Sequence, residues 1–247
     1  MLVTPIFIIT CDRLEFLKKS IESYHKYIKS SIEIVILDQG TTFPPTIKYF
    51  SQLESQGIKV YRWPPNLNNG LGKNQPRNNE KISNDIDDYF KTHPKSKYIV
   101  TDPDIDITGI ADGCLDVYAH ILNTIPKALV VGPMLKLDDI PNYYPLKRNL
   151  LNGKLGKHHR KYNSSKIYVL EYRNRVIRYV FAPIDTTFGM YRKGFKWVRC
   201  NKKEGIRVYS PFDARHLDWY VHPNKLTEDH KYYMKHAGIN AHWSRYS

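Results

Sequence analysis

The chain has 247 residues, the length of one large α/β domain or two small ones, and its 41% hydrophobic and 13% aromatic content excludes a disordered chain. No uninterrupted apolar run approaches the roughly 18 residues of a membrane helix, and the first residues, MLVTPIFIIT, lack the basic region and small-residue cleavage site of a signal peptide. Lys plus Arg (38) exceeds Asp plus Glu (24), giving a formal charge of +14, which points to an anionic partner: nucleic acid, a phosphorylated small molecule or an acidic membrane surface. Three cysteines, Cys11, Cys114 and Cys200, have neither disulfide-framework nor metal-ligand spacing and fit a reducing, cytoplasmic location.

The first 135 residues alternate between strand and helix signals. Pro5–Thr10 is an apolar run of strand length. Asp12 then offers an N-cap to a helix whose stripe is Leu14, Leu17, Ile21, Tyr24 and Ile28. Ile32–Leu37 predicts a second strand, Thr46, Tyr49, Phe50 and Leu53 a second helix stripe, and Gly57 its end. Ile58–Tyr61 resumes as strand. A Pro-, Asn- and Gly-rich loop covers Trp63 to Asn74. A third helix presents Ile82, Ile86, Tyr89 and Phe90, and Tyr98–Thr101 is the fourth strand. A helix through Leu115, Tyr118, Ile121, Leu122 and Ile125 and a strand at Ala128–Val131 follow. This alternation with short links predicts an α/β fold with a mostly parallel sheet, helices on both faces and right-handed crossovers.

The second half reads differently. Residues 141–170 hold seven Lys or Arg and no acid, and read as a mobile loop. Ile167–Glu171 and Arg175–Ala182 form a hairpin turning at Arg173-Asn174. Thr186–Tyr191 is a further strand, and a short helix runs from Thr227 to His236, capped by Thr227 and closed by Gly238. With no repeat and no linker, the expected organisation is one domain over 1–247, with halves 1–135 and 136–247.

Ligands of an open parallel sheet bind beyond the carboxyl ends of its strands. There the sequence places Thr10-Cys11-Asp12-Arg13, then Asp38-Gln39-Gly40-Thr41, then Asn66 to Lys73 with Arg77 and Asn78, and finally Thr101 to Asp106. Asp102-Pro103-Asp104 is the sharpest of these. Two carboxylates flanking one stiff residue suit a hard cation such as Mg²⁺ or Mn²⁺, although the same tripeptide is good turn chemistry. Asp38 suits hydrogen bonds from a ribose or base edge, and Gly70, Gly72 and Arg77 suit a phosphate or base pocket.

This ordered set resembles a GT-A-fold glycosyltransferase of the family 2-like kind, with its Rossmann-like sheet and a mixed C-terminal acceptor side. Residues 3–132 carry most of the resemblance; Ile184–Tyr191 and Arg215–Tyr220 extend it more loosely. The resemblance implies that Asp102 and Asp104 match the metal-holding DxD pair, Asp104 more directly. Asp38 would contact the nucleoside, Thr10 and Arg13 would lie beside the base with Asp12 in the same segment, and Arg77 would sit near the nucleoside or diphosphate. A C-terminal histidine of such enzymes completes the metal shell; His242 and His216 compete for that place. The acceptor base would be Asp185, Asp218 or Asp229, the last in a Glu-Asp motif that also suits the positive end of a helix. Trp219, Tyr220 and Trp243 are candidates for stacking on sugars.

The implied activity is transfer of a sugar from a nucleoside diphosphate sugar, UDP favoured, to a saccharide, glycan or other hydroxyl acceptor. Without an anchor or long extension, a single non-processive transfer is expected, with the basic face able to meet a membrane. The rivals are a sugar nucleotidyltransferase, which the absence of glycine in Thr10–Arg13 disfavours, and a nucleic-acid binder or metal nuclease, for which charge is the sole support. A non-catalytic sugar-nucleotide binder is the third.

Overall fold

The computed structural model describes residues 3–65, 75–152, 166–198 and 204–236. Strands β1 (Thr4–Thr10), β2 (Ile32–Asp38), β3 (Lys59–Arg62) and β4 (Tyr98–Thr101) are parallel, in the order β3-β2-β1-β4. Helices α1 (Leu14–Tyr27), α2 (Pro44–Ser55) and α3 (Gln75–Thr92) make the crossovers.

β1, β2 and β4 are apolar on both faces because both faces are covered. Ile6, Ile8, Ile34 and Ile36 enter one core with Leu17, Tyr24 and Phe50. Phe7, Ile9, Val35 and Leu37 alternate into a second core with Ile82, Ile86 and Tyr89. Phe7 sits edge-on to Tyr89 and Tyr98, with ring centroids 5.3 and 5.9 Å away. The expected stripe of α1 is fully buried, and Gly57, at φ +85°, ends the α2 turn.

The remaining elements are β5 (Ile105–Asp106), α4 (Cys114–Thr124), β6 (Val130–Pro133), α5 (Lys147–Leu151), β7 (Tyr168–Tyr172), β8 (Arg175–Phe181), β9 (Gly189–Tyr191), β10 (Gly205–Val208), β11 (Arg215–His216) and α6 (Glu228–His236). A 3₁₀ turn spans Leu217–Tyr220. The sheet continues β4-β9-β6-β10-β8-β7, reaching nine strands. β9 is antiparallel to both neighbours, β10 is parallel to β6, and the β7–β8 hairpin closes the edge. Both Arg173 and Asn174 have positive φ, as a two-residue hairpin turn requires. The α/β expectation therefore holds, with a parallel N-terminal sheet and a mixed C-terminal part. No helix among the described residues is long and apolar enough to cross a membrane.

Several local expectations change. Asp12 does not cap α1: its carboxylate accepts the backbone N–H groups of Thr42 and Phe43, both at 2.7 Å, ahead of α2. The strand expected from Thr186 begins only at Gly189, because the Thr186 carbonyl accepts the Asp102 N–H at 2.7 Å outside the main ladder. The basic stretch read as a loop contains α5, anchored by buried Leu150; 153–165 lie outside the described residues, as does Gly238. β10 is hidden in sequence by Arg207, 2% exposed, whose guanidinium donates to Pro183 O, Pro133 O and Thr187 Oγ1 at 2.9–3.0 Å.

Gly40 shapes the loop after β2. Its φ is +85°, and an added Cβ would lie 2.9 Å from both Pro64 O and Pro65 Cα, which are backbone atoms. Gly40→Ala is expected to lower stability by about 1–3 kcal/mol, read as a lower urea midpoint at unchanged m value; an unchanged midpoint would contradict this account of the loop.

Candidate functional site

The site lies along the carboxyl edge of the parallel strands. Register pairs Thr10 with Asp38, so the two ends sit side by side. Both residues are buried. Asp38 Oδ1 accepts the Thr41 N–H at 2.9 Å, while burial pushes its carboxyl above the ordinary range. Thr10 Oγ1 is buried without a hydrogen-bond partner among the described residues.

β4 ends at Thr101, and α1 holds the turn that follows. Ser20 Oγ donates to Pro103 O at 2.7 Å and reaches Ile105 O at 3.1 Å; Tyr24 OH donates to Ile105 O at 2.8 Å. These contacts turn Asp102 and Asp104 in different directions. Asp102 is half-buried, and its Oδ2 accepts the Thr186 hydroxyl. Asp104 is buried and faces a second group of side chains.

That group arrives through β5 and β11. Their short antiparallel pairing sets His216 opposite Ile105, and the Leu217 N–H donates to Asp104 O at 2.7 Å. Asp104, His216 and Asp218 then offer ligand atoms all within 4.8 Å of one another, and all three residues are buried. His216 Nε2 is 3.7 Å from Asp104 Oδ2, and the His216 ring stacks on Trp219 at 4.9 Å. Two oxygen donors and one imidazole suit Mn²⁺ or Mg²⁺. Asp104 Oδ1 is buried with no partner among the described residues, which is the state of a carboxylate oxygen that has a further ligand to gain.

Arg13 completes the cluster's charge balance. Its guanidinium contacts Asp218 Oδ1 directly and lies 3.9 Å from Asp104 Oδ2. It lies over the rings of Phe16 and Tyr233, 4.5 and 4.3 Å from their centroids. Burial opposes ionisation of Asp218, but Arg13, His216 and His230 outweigh it and hold this carboxyl below the ordinary range. Asp104 goes the other way: burial and the charge of Asp218 push it up against the pull of His216 and Arg13. Burial lowers the pKa of His230, which approaches Asp218 Oδ1 to 3.7 Å.

The structure separates the three base candidates. Asp218 is in the ion-paired cluster. Asp229 is buried; its Oδ2 accepts the Glu15 N–H at 3.0 Å, satisfying a donor in the first turn of α1, and its Oδ1 accepts the Thr227 hydroxyl. Asp185 is exposed and immediately precedes Thr186, the residue that holds Asp102. Asp102 does not join the Asp104 group, and Arg13 faces carboxylates in the cluster. Arg77 lies in the first turn of α3, but its side chain is outside the described residues. Gly70, Gly72 and His242 also lie outside them. His230, Tyr233 and Phe16 were missed as members of the site. The one available signal was that His230 directly follows the Glu-Asp pair.

Comparison with known families and with curated proteins gives no match. Solved structures do show a likeness. Residues 1–349 of S. aureus TarS are similar at 14% identity over 77% of this chain and 47% of that one, with a TM-score of 0.43. Glucosyl-3-phosphoglycerate synthase from Mycobacterium tuberculosis is similar at 11% identity over 77% and 56%, with a TM-score of 0.39. Mannosyltransferase PcManGT from Pyrobaculum calidifontis, solved with GDP-Man and Mn²⁺, is similar at 12% identity over 55% and 36%, with a TM-score of 0.37. The chain thus spans about half the length of the TarS fragment. With every one of these TM-scores below 0.5, the functional reading rests on the site.

The buried pairing of Arg13 with Asp218 is directly testable. Asp218→Asn removes the carboxylate that the guanidinium contacts and should cost about 3 kcal/mol in urea denaturation at pH 7. Arg13→Met combined with Asp218→Leu should recover most of that loss. Equal destabilisation by the single and double variants would disprove the coupling.

Proposed function

We propose that the chain is a metal-dependent glycosyltransferase that moves a sugar from a nucleoside diphosphate sugar, UDP-sugar favoured, to a hydroxyl acceptor. The observation that carries this reading is the shared edge: Thr10, Asp38 and Asp102 at the ends of parallel strands, beside the buried Asp104–His216–Asp218 group. A strand-end crevice of this kind is where an α/β sheet binds a nucleotide.

In this mechanism Asp38 accepts hydrogen bonds from the nucleoside, with Thr10 Oγ1 beside it. Asp102, oriented by Thr186, faces the donor's ribose–diphosphate region. Asp104, His216 and Asp218 would hold Mn²⁺ or Mg²⁺, which when bound would supply a Lewis acid for the departing diphosphate. Arg13 sets the charge of that ligand group by pairing with Asp218. Asp185 is the acceptor base: it is the exposed member of the three candidates, and it adjoins the residue that fixes Asp102. As base it takes the proton from the acceptor hydroxyl as that oxygen attacks the sugar carbon. Asp229 is a positioning residue that fixes the start of α1 and thereby Arg13.

Melting the protein with UDP, GDP and dTDP, each with and without Mn²⁺, tests the donor site. At a hundredfold excess over Kd a ligand adds about 2.7 kcal/mol, which corresponds to a Tm rise of roughly 5–10 °C for a chain of this size. The rise should require Mn²⁺ and disappear in Asp104→Asn, which should also lose about 100-fold or more of transfer. No shift with any nucleotide, against a cooperative melt, would sink the proposal.

A further inference from the structure

The segment 182–188 joins β8 to β9 and carries Asp185. It runs against the backbone of the sheet, where only glycine leaves room for it. An added Cβ at Gly205 in β10 would collide with Ala182 O and lie 3.0 Å from Ile184 N. One at Gly132 in β6 would lie 3.1 and 3.2 Å from Phe188 O and Thr187 O. Glycines on two adjacent strands thus form the bed on which both ends of the segment rest.

Arg207, paired in register with Gly132, fastens the segment to that bed. Its buried guanidinium donates to Pro183 O and to Thr187 Oγ1, both at 3.0 Å, and to Pro133 O of β6 at 2.9 Å. Phe188 gives a second, independent indication. It is fully buried at φ +55°, a region in which a bulky side chain is strained. Such a conformation persists only where the surroundings over-determine it. Here the Phe188 ring packs on Tyr24, with centroids 4.9 Å apart, and the Tyr24 hydroxyl in turn holds Ile105 O. Between Arg207's two contacts, Thr186 grips Asp102 twice: its carbonyl accepts the Asp102 N–H at 2.7 Å, and its hydroxyl donates to Asp102 Oδ2. The segment is therefore tied to both ends of the acidic turn. Of its residues, Asp185 alone is exposed.

We propose that Arg207 and Thr187 are positioning residues: they lock segment 182–188 so that Asp185 is set against Asp102, through Thr186, before any substrate binds. The inference rests on the transferase reading above, in which Asp185 is the acceptor base, and adds that the base is preset rather than carried in by a closing loop. A base held in advance on a rigid support contributes to rate by orientation.

The first test is amide hydrogen exchange on the full chain. Amides 184–188 should exchange slowly without nucleotide, and UDP with Mn²⁺ should change their rates by less than about twofold. Thr187→Val removes one acceptor of Arg207 and should speed their exchange about tenfold or more, the effect of one hydrogen bond. Thr187→Ser, which keeps the hydroxyl, should not. The second test is UDP release from UDP-glucose, UDP-galactose and UDP-N-acetylglucosamine with Mn²⁺ and a monosaccharide acceptor. Thr187→Val should lower kcat about 10- to 100-fold, Thr187→Ser should restore it, and in an Asp185→Asn background Thr187→Val should lower it by less than about threefold further. Fast exchange in the unaltered protein, or protection that appears only with nucleotide, overturns the proposal. So does a Thr187→Val variant that melts lower with kcat unchanged, or one that loses as much kcat with Asp185→Asn as without it. Failure of every UDP-sugar to react in the unaltered protein is a separate result that counts against the transferase reading; whether the segment is preset is still decided by the exchange of Thr187→Val and Thr187→Ser.

Discussion

The burial of Arg13 is the constraint on which the site depends. A guanidinium taken out of water must be compensated, and here one carboxylate in contact and a second at 3.9 Å do so, with two aromatic rings close by. The partners come from four parts of the chain: Phe16 from the adjoining α1, Asp104 from the turn after β4, Asp218 from the 3₁₀ turn and Tyr233 from α6. Satisfying one charge therefore fixes four elements against one another. The same constraint explains why neighbouring carboxyls are driven apart. Asp218, in direct contact with the cation, stays charged, and Asp104, farther from it and equally buried, is pushed towards its neutral form.

Hydrogen bonds to backbone do the finer positioning. Ser20 and Tyr24 are apolar-face positions of α1 in pattern, yet their hydroxyls hold the Pro103 and Ile105 carbonyls and so aim the acidic turn. Asp12 and Asp229 each spend a carboxylate on N–H groups at the beginning of a helix. Acidic residues gather along this edge, then, for two physical reasons. Some stabilise helix starts and loops, and others face a ligand in the proposed function. Burial and hydrogen-bond partners divide them: Asp185 is exposed, Asp12 and Asp229 are engaged by backbone, and Asp104 keeps one buried oxygen without a partner among the described residues.

The fold of the first half was legible because its signals are local. Each helix stripe is a period of 3.6, and β1, β2 and β4 are apolar runs covered on both sides, so β1 to β4 and α1 to α4 fall close to their expected places. The Arg173-Asn174 turn was equally readable, since it sits between two strand-like runs of apolar and aromatic residues. The shorter pieces were not. β5 and β11 have two residues each, too few for any period, and a buried arginine interrupts the apolar run of β10. Of the residues named from sequence, Asp104, His216 and Asp218 meet in one cluster, whereas Asp102 turns to Thr186 and Asp229 to α1.

The sequence by itself determined the α/β alternation, the strand ends at which polar residues collect and the cationic character of the chain. These follow from periodicity, turn chemistry and charge count, which each residue carries with it. Only the tertiary structure decided which acids share a pocket, which are consumed by backbone donors and which histidines stand beside them. Those outcomes depend on contacts between residues as far apart as Arg13 and Asp218, and on burial, which sets whether a carboxyl holds its charge. Neither property belongs to a residue until the chain has closed around it.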